Sequence, residues 1–257
     1  MKKKTAIVTG ASAGMGKDFL KVLQKEKDVD EIWMIARRRE RLEAIEAKGN
    51  GKLRAVPLDL TDMESFVILE KLLKKEQPQI RYLINAAGAG RMGKVKDISH
   101  TDHAFVLDIN VRALTCMSRI CLPYMEKGSR IIQMCSGSAF LPQPEFASYA
   151  ASKAYVLSFS RALRQELKKE GISVTAVCPG PVNTEFFEAA GSEIAPAKKR
   201  FLVESEAVVK KAMKDAKTGK ELSVYGMSMK LVHVAGKLLP TRVILSVMNG
   251  MLTNNEE

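Results

Sequence analysis

Between Thr5 and Cys178 the chain passes six times through a short run of branched apolar residues, and longer segments with helical spacing separate the runs. The expected strands are Thr5 to Thr9, Ile32 to Ala36, Leu53 to Leu58, Tyr82 to Asn85, Arg130 to Ser136 and Ile172 to Cys178. The expected helices are Lys17 to Lys27, Leu42 to Ala47, Met63 to Lys75, Thr101 to Met125 and Tyr149 to Glu170. A helix inserted between successive strands lets them run parallel, and a sheet covered by helices on both faces needs strands that are apolar throughout. The pattern predicts an α/β fold with a doubly wound parallel sheet. With 257 residues the chain is short for two full domains, so one domain over 1–257 is expected.

Strand one runs into Thr9-Gly10-Ala11-Ser12-Ala13-Gly14-Met15-Gly16. Glycines there allow a tight turn and close approach of a ligand, and the following helix offers unpaired N–H groups to a phosphate. No Gly-Lys-Ser/Thr ending follows, so this is not a P-loop. The second strand ends Ile35-Ala36-Arg37-Arg38-Arg39, where an NAD-binding chain of this architecture commonly has a carboxylate for the adenosine ribose. Positive charge in that place suits the extra 2′-phosphate of NADP, held by Arg37 and Arg38 with the Ser12 hydroxyl opposite. NADP is therefore favoured over NAD, although Ala13 leaves the loop without a basic side chain. Asp59, closing the third strand, is placed for the adenine amino group.

Tyr149 and Lys153 stand four residues apart on an expected helix and share one face. An ammonium and a bound cofactor's charge both favour the phenolate, which makes a tyrosine usable as an acid-base group near neutral pH. Ser136 ends the fifth strand, at the sheet edge where ligands sit in this architecture, and can donate to a substrate oxygen.

Glycine turn, serine and Tyr-x-x-x-Lys in this order resemble the short-chain dehydrogenase/reductase family, with its Rossmann-type fold, from Lys4 to about Tyr225. Asn85-Ala86-Ala87-Gly88 resembles the family's Asn-Asn-Ala-Gly strand ending, with Ala86 as a departure. The resemblance implies a catalytic tetrad of Asn110, Ser136, Tyr149 and Lys153. It implies cofactor contacts from Gly10, Ser12, Gly14, Met15 and Gly16, from Arg37, Arg38, Asp59 and Leu60, and from Asn85, Ala86 and Gly88. Tyr149, Lys153, Pro179, Gly180, Val182 and Thr184 complete the set. Tyr149 would be general acid in reduction and base in oxidation, Lys153 would hold the nicotinamide ribose, and the Asn110 backbone would hold a relay water. No metal is required for direct hydride transfer.

Beyond Thr184 the regularity changes. A segment over about 184–203 with Phe186 and Phe187 is expected to be a substrate lid, followed by a helix over Glu204 to Lys217 and a short strand at Leu222 to Val224. The methionine-bearing tail, including Met227 and Met229, fits a pocket wall, a subunit interface or an amphipathic helix on a membrane. A pocket of such side chains suits a bulky hydrophobic alcohol/ketone pair such as a hydroxysteroid or 3-oxoacyl compound. A small polar or sugar-like carbonyl, or an idle dinucleotide-binding scaffold, is the competing reading. No apolar stretch is long enough for a membrane span. The four cysteines lack C-x-x-C spacing and the basic start lacks a signal peptide's apolar run, so a reduced, cytoplasmic setting is expected. The net charge of +12 is scattered rather than striped, which argues for a soluble surface with one local anion site over nucleic-acid binding. The helices at 101–125 and 149–170 resemble the family's subunit interface and imply a homodimer or homotetramer.

Overall fold

The computed structural model describes residues 2–191 and 202–246. Strands β1 (Lys4–Thr9), β2 (Glu31–Ala36), β3 (Leu53–Pro57), β4 (Gln79–Asn85), β5 (Met125–Met134) and β6 (Ser173–Val177) alternate with helices α1 (Gly14–Leu23), α2 (Arg39–Ala47), α3 (Met63–Glu76), α4 (His100–Leu107), α5 (Ala113–Cys121) and α6 (Ala147–Glu166). After α6 and β6 come β7 (Val182–Asn183), α7 (Phe186–Ala189), β8 (Val203–Glu204), α8 (Ser205–Lys217), β9 (Leu222–Ser223) and α9 (Met227–Leu238). The main sheet has seven strands in the order β3-β2-β1-β4-β5-β6-β9, all parallel. The chain works outward from β1 in one direction and then from β4 in the other, so the β1/β4 boundary is the switch point where ligands bind in doubly wound sheets.

The apolar runs have the two-faced burial that their composition requires. Ala6 and Val8 of β1 join Phe19, Leu20 and Leu23 of α1 and Val209, Ala212 and Met213 of α8 in one cluster. Ile7 points the other way, into a cluster with Trp33, Ile35, Leu69 and Leu73, Met117 and Leu163. Successive side chains of a strand alternate in direction, so a run with no polar member serves both layers.

Two departures from the sequence reading have local causes. The helix expected to reach Met125 stops at Cys121, because Pro123 lies in a 3-10 turn over Leu122–Tyr124 and Met125 already pairs with Ile80 as β5 begins. Between α4 and α5 the helix widens into one π-helical turn, Asp108–Arg112, centred on Asn110. Such turns concentrate at functional sites.

β7 and β8 form a separate parallel pair, with Val182 opposite Val203 and Asn183 opposite Glu204. It closes the base of the segment expected as a lid, whose residues 192–201 lie outside the described residues.

The turn after β1 depends on bare backbone. Gly10 has φ +66°, and a Cβ there would lie 2.8 Å from both Ala86 O and Ala87 N at the end of β4. A Cβ on Gly16 would lie 2.2 Å from Gly10 O. Gly16→Ala should therefore force the turn off β4 and destabilise the chain by about 1–3 kcal/mol, an overpacking penalty read from the midpoint of urea unfolding. An unchanged midpoint would show that the turn has room this geometry denies.

Candidate active site

A cleft of about 400 Å³ opens over the carboxyl ends of β1, β2 and β4. Gly10, Ser12, Gly14, Met15 and Gly16 form its floor, Arg37, Arg38 and Leu60 one end, and Ala86, Gly88 and Thr184 the other. The start of α1 has Ala13 at its cap, with no side-chain hydrogen bond and no acid in the first turn. Its leading N–H groups are thus left to backbone, water or an anion. A narrow, glycine-floored trough with uncapped amides on one side and guanidinium groups at one end fits an elongated phosphate-bearing dinucleotide.

The expected cationic end is assembled. Arg38 donates to the Ser12 hydroxyl at 3.2 Å, bringing the end of β2 to the glycine loop. Arg37 lies over the Phe105 ring at 5.5 Å from its centroid, and Arg91 lies over the same ring at the same distance. Arg91 is fixed by Asp102 at 2.7 Å and by the carbonyls of Gly90 and Ala189. Sequence spacing gave no sign of this stack. Nor did it show Glu185, which pairs with Arg41 at 3.2 Å and Arg38 at 3.7 Å across 144 and 147 residues of chain. The basic run continuing to Arg41 was the available signal for one partner. Asp59, expected at the adenine, turns Oδ1 toward its own loop and accepts from Thr61 N at 2.9 Å and Thr61 Oγ1 at 2.8 Å.

At the other end the tetrad residues converge from three elements. Lys153, buried on α6, donates Nζ to Met134 O at 2.9 Å, beyond which Ser136 leaves β5. A Cβ on Gly88 would lie 3.1 Å from Asn110 Oδ1 and 3.4 Å from Lys153 Nζ, so glycine is what lets β4, the π-helical turn and α6 meet. The Asn110 side chain is engaged in holding that junction: its amide exchanges bonds with Ala89 O at 2.8 Å and Ala89 N at 2.9 Å, and reaches Ser152 Oγ at 2.9 Å. With its side chain so engaged, Asn110 has only backbone to offer a relay water. Buried Asn85 holds Gln133 at 2.8 Å. Of the segment expected beside nicotinamide, Val182 is buried in β7, and Gly180, which follows Pro179, packs against Met229 of α9.

Ser136 Oγ accepts from Ser138 N at 3.1 Å and reaches Ser138 Oγ at 3.2 Å, which sets its direction. Tyr149 stacks on Phe146 with ring centroids 4.3 Å apart and touches Phe186 at 5.3 Å. Phe187 meets Phe186 edge-on at 5.6 Å. Of the two methionines expected in a pocket wall, Met229 packs against the backbone of Gly137 and Gly180, whereas Met227 is 69% exposed. His233 packs on the Phe140 ring, with centroids 4.3 Å apart.

The electrostatics differ from the simple expectation that Lys153 frees the phenolate. Burial pushes the Tyr149 phenol above its ordinary value, outweighing the lowering by the neighbouring Ser136 hydroxyl. Burial also draws Lys153 down to about 8. Both shifts favour the neutral form in a dry site. Tyr149 is thereby kept as a proton donor.

The lysine shift fixes the sign of a pH effect. The folded value, about 8, lies below the ordinary 10.5, so the folded chain gives up this proton first as pH rises. The penalty for burying the ammonium is complete below pH 8 and disappears between 8 and 10.5, so stability rises with pH through that window. Across it the cofactor-free protein should gain up to about 3 kcal/mol relative to Lys153→Met in urea unfolding. A difference that stays flat with pH would contradict the buried ammonium.

The comparisons with known proteins agree with this arrangement. The family model for short chain dehydrogenases matches residues 4–195. The oxidoreductase UcpA of Salmonella typhimurium is 32% identical over 197 residues, covering 75% of this chain and 74% of the relative. An uncharacterized oxidoreductase of Staphylococcus epidermidis is 30% identical over 201 residues, covering 77% and 86%. Among solved structures, a short-chain dehydrogenase from Sphingobium yanoikuyae in complex with NADPH superposes with a TM-score of 0.79 at 24% identity, covering 97% of this chain and 95% of that one. A family member from Burkholderia phymatum in complex with NAD gives 0.76 at 20% identity, covering 92% and 95%. The match over three quarters of the chain and the shared fold lead to one conclusion: the chain belongs to the short-chain dehydrogenase/reductase family of oxidoreductases.

Proposed function

We propose that this oxidoreductase is NADP(H)-dependent and interconverts a secondary alcohol and a ketone on a bulky hydrophobic substrate, such as a hydroxysteroid or a 3-oxoacyl compound. The observation that carries the reading is the setting of Tyr149. A buried phenol kept in its protonated form lies between Phe146 and Phe186, with Ser136 beside it and Lys153 on the same helix face. The nicotinamide, when bound, supplies or accepts hydride at C4. Ser136 orients the substrate oxygen, and Tyr149 gives its proton to that oxygen as a carbonyl is reduced or takes one from an alcohol. Lys153, anchored on Met134 O with Nζ 5.5 Å from the Tyr149 ring centroid, would hold the nicotinamide ribose. The Asn110 turn supplies backbone for a relay water.

The Phe146 and Phe186 rings on either side of Tyr149 support an apolar substrate. So does a relative, the 11-beta-hydroxysteroid dehydrogenase-like 3 of Arabidopsis thaliana, 31% identical over 189 residues that cover 71% of this chain and 60% of that protein. The segment over 184–203 acts as lid, with the β7/β8 pair as its hinge base and Phe186 as its contact with Tyr149. Outward faces of α4, α5 and α6, with Leu107 45% and Tyr155 40% exposed, supply a homodimer or homotetramer contact.

Tyr149→Phe keeps the ring and its stacking, so it tests chemistry rather than folding. Turnover of NADPH with steroid or 3-oxoacyl ketones should fall about a thousandfold, with NADPH affinity retained. A wild-type rate in the variant would remove Tyr149 as the acid.

The NADP assignment rests on Arg37 and Arg38, joined by Ser12. One observation favours NAD instead: the Glu185 carboxylate already faces Arg38 and Arg41 and is itself a ribose-hydroxyl acceptor. Fluorescence titration separates the two. Arg38→Ala should weaken NADPH about tenfold and leave NADH unchanged, the loss of one charge-assisted bond to phosphate. Equal affinities for the two cofactors in the wild type would overturn the phosphate clamp, and tighter binding of NADH would decide for NAD.

A further inference from the structure

We propose that the outer face of α9 docks this protein on an anionic lipid surface. The inner face of the helix is accounted for. Met229 packs on Gly137 and Gly180, His233 on the Phe140 ring, and Gly236 against Phe140 O and Leu141, where a Cβ would come within 2.7 Å and 3.0 Å. The helix therefore roofs the loop that follows Ser136.

Its other face is apolar and, among the described residues, unpartnered. Met227, Leu231, Val234 and Leu238 are 69%, 65%, 49% and 75% exposed at helical spacing, and Leu239 and Val243 continue the stripe at 48% and 47%. Of the twelve large hydrophobic residues exposed among the described residues, six lie in this one segment, so it is a patch rather than scatter. Lys230 and Lys237 lie on the same outer face, and Arg242 follows. From Leu222 to Ser246 the sequence contains no aspartate or glutamate.

The charge pattern selects the occupant. A second copy packed through this face about a two-fold axis would bring lysines toward lysines with no carboxylate to meet them. An anionic lipid surface meets both features, since headgroups pair with the lysines while the apolar stripe enters the boundary with the acyl chains. The helix is 12 residues long, and no helix among the described residues is long and apolar enough to cross a membrane, so the contact is peripheral. Docking of this kind does not depend on which cofactor or substrate the cleft takes.

Co-sedimentation with vesicles tests the proposal, using phosphatidylcholine alone and an equimolar mixture of phosphatidylcholine and phosphatidylglycerol. Wild type should pellet with the mixed vesicles, come off in high salt, and leave the neutral vesicles largely bare. Leu231→Gln with Leu238→Gln, and separately Lys230→Gln with Lys237→Gln, should each lower binding on the order of tenfold, and Ser228→Lys should raise it. Unchanged melting would show that these exposed substitutions leave the fold intact. Absence of binding by wild type, equal binding to neutral vesicles, or full binding by both double variants would overturn the proposal. So would sedimentation velocity showing that the leucine variant splits a dimer, which would make the face a contact between copies.

Discussion

Two backbones touching without a side chain between them govern this molecule. Gly10 leaves β1 against the Ala86–Ala87 peptide at the end of β4, and Gly16 brings α1 back over Gly10. These contacts lie at the boundary where the strand order reverses, and they keep the two halves of the sheet close while the loops above diverge. The cleft floor, the direction of α1 and the approach of Ser12 to Arg38 all follow from that packing. A methyl group at either glycine would move all three together.

The tetrad depends on a second junction of the same type, at Gly88. There the constraint is electrostatic as well as steric. The Asn110 amide holds Ala89 and the Lys153 ammonium holds Met134 O, so both polar side chains also serve as struts. Burial makes the struts strong and also suppresses charge on Tyr149 and Lys153. The resting site therefore stores a proton on the phenol, and ionisation must be drawn out by what binds beside it.

How much of this was legible in the sequence depended on whether a contact was local or imposed by the sheet. Strands buried on both faces announced themselves as unbroken apolar runs. Ser136, Tyr149 and Lys153 could be placed because a strand's carboxyl end and a helix face determine direction. The Arg37–Phe105–Arg91 stack, the Glu185 pair and the Ser152 bridge to Asn110 were not legible, since each joins residues whose sequence neighbours say nothing of their partner. The π-helical turn at Asp108–Arg112 also escaped, because five residues are too few to show a change of helical period in the apolar spacing. The setting of Tyr149 was only half legible: its distance along the helix from Lys153 is visible as spacing, but the depth at which the phenol is buried is not.

The last strand is only two residues long, and it adjoins the chemistry. β9 accepts hydrogen bonds from β6, with Ala176 N donating to Glu221 O and Cys178 N to Ser223 O, each at 2.9 Å. Cys178 immediately precedes Pro179-Gly180, and β9 leads within four residues to α9. That makes the edge strand a short load path: displacement of the roof helix is delivered to the strand end beside Ser136 before it reaches the seven-stranded core. The mechanical stiffness of the substrate end is thus set by a handful of peptide bonds at the sheet margin, and can be retuned there without redesigning the interior.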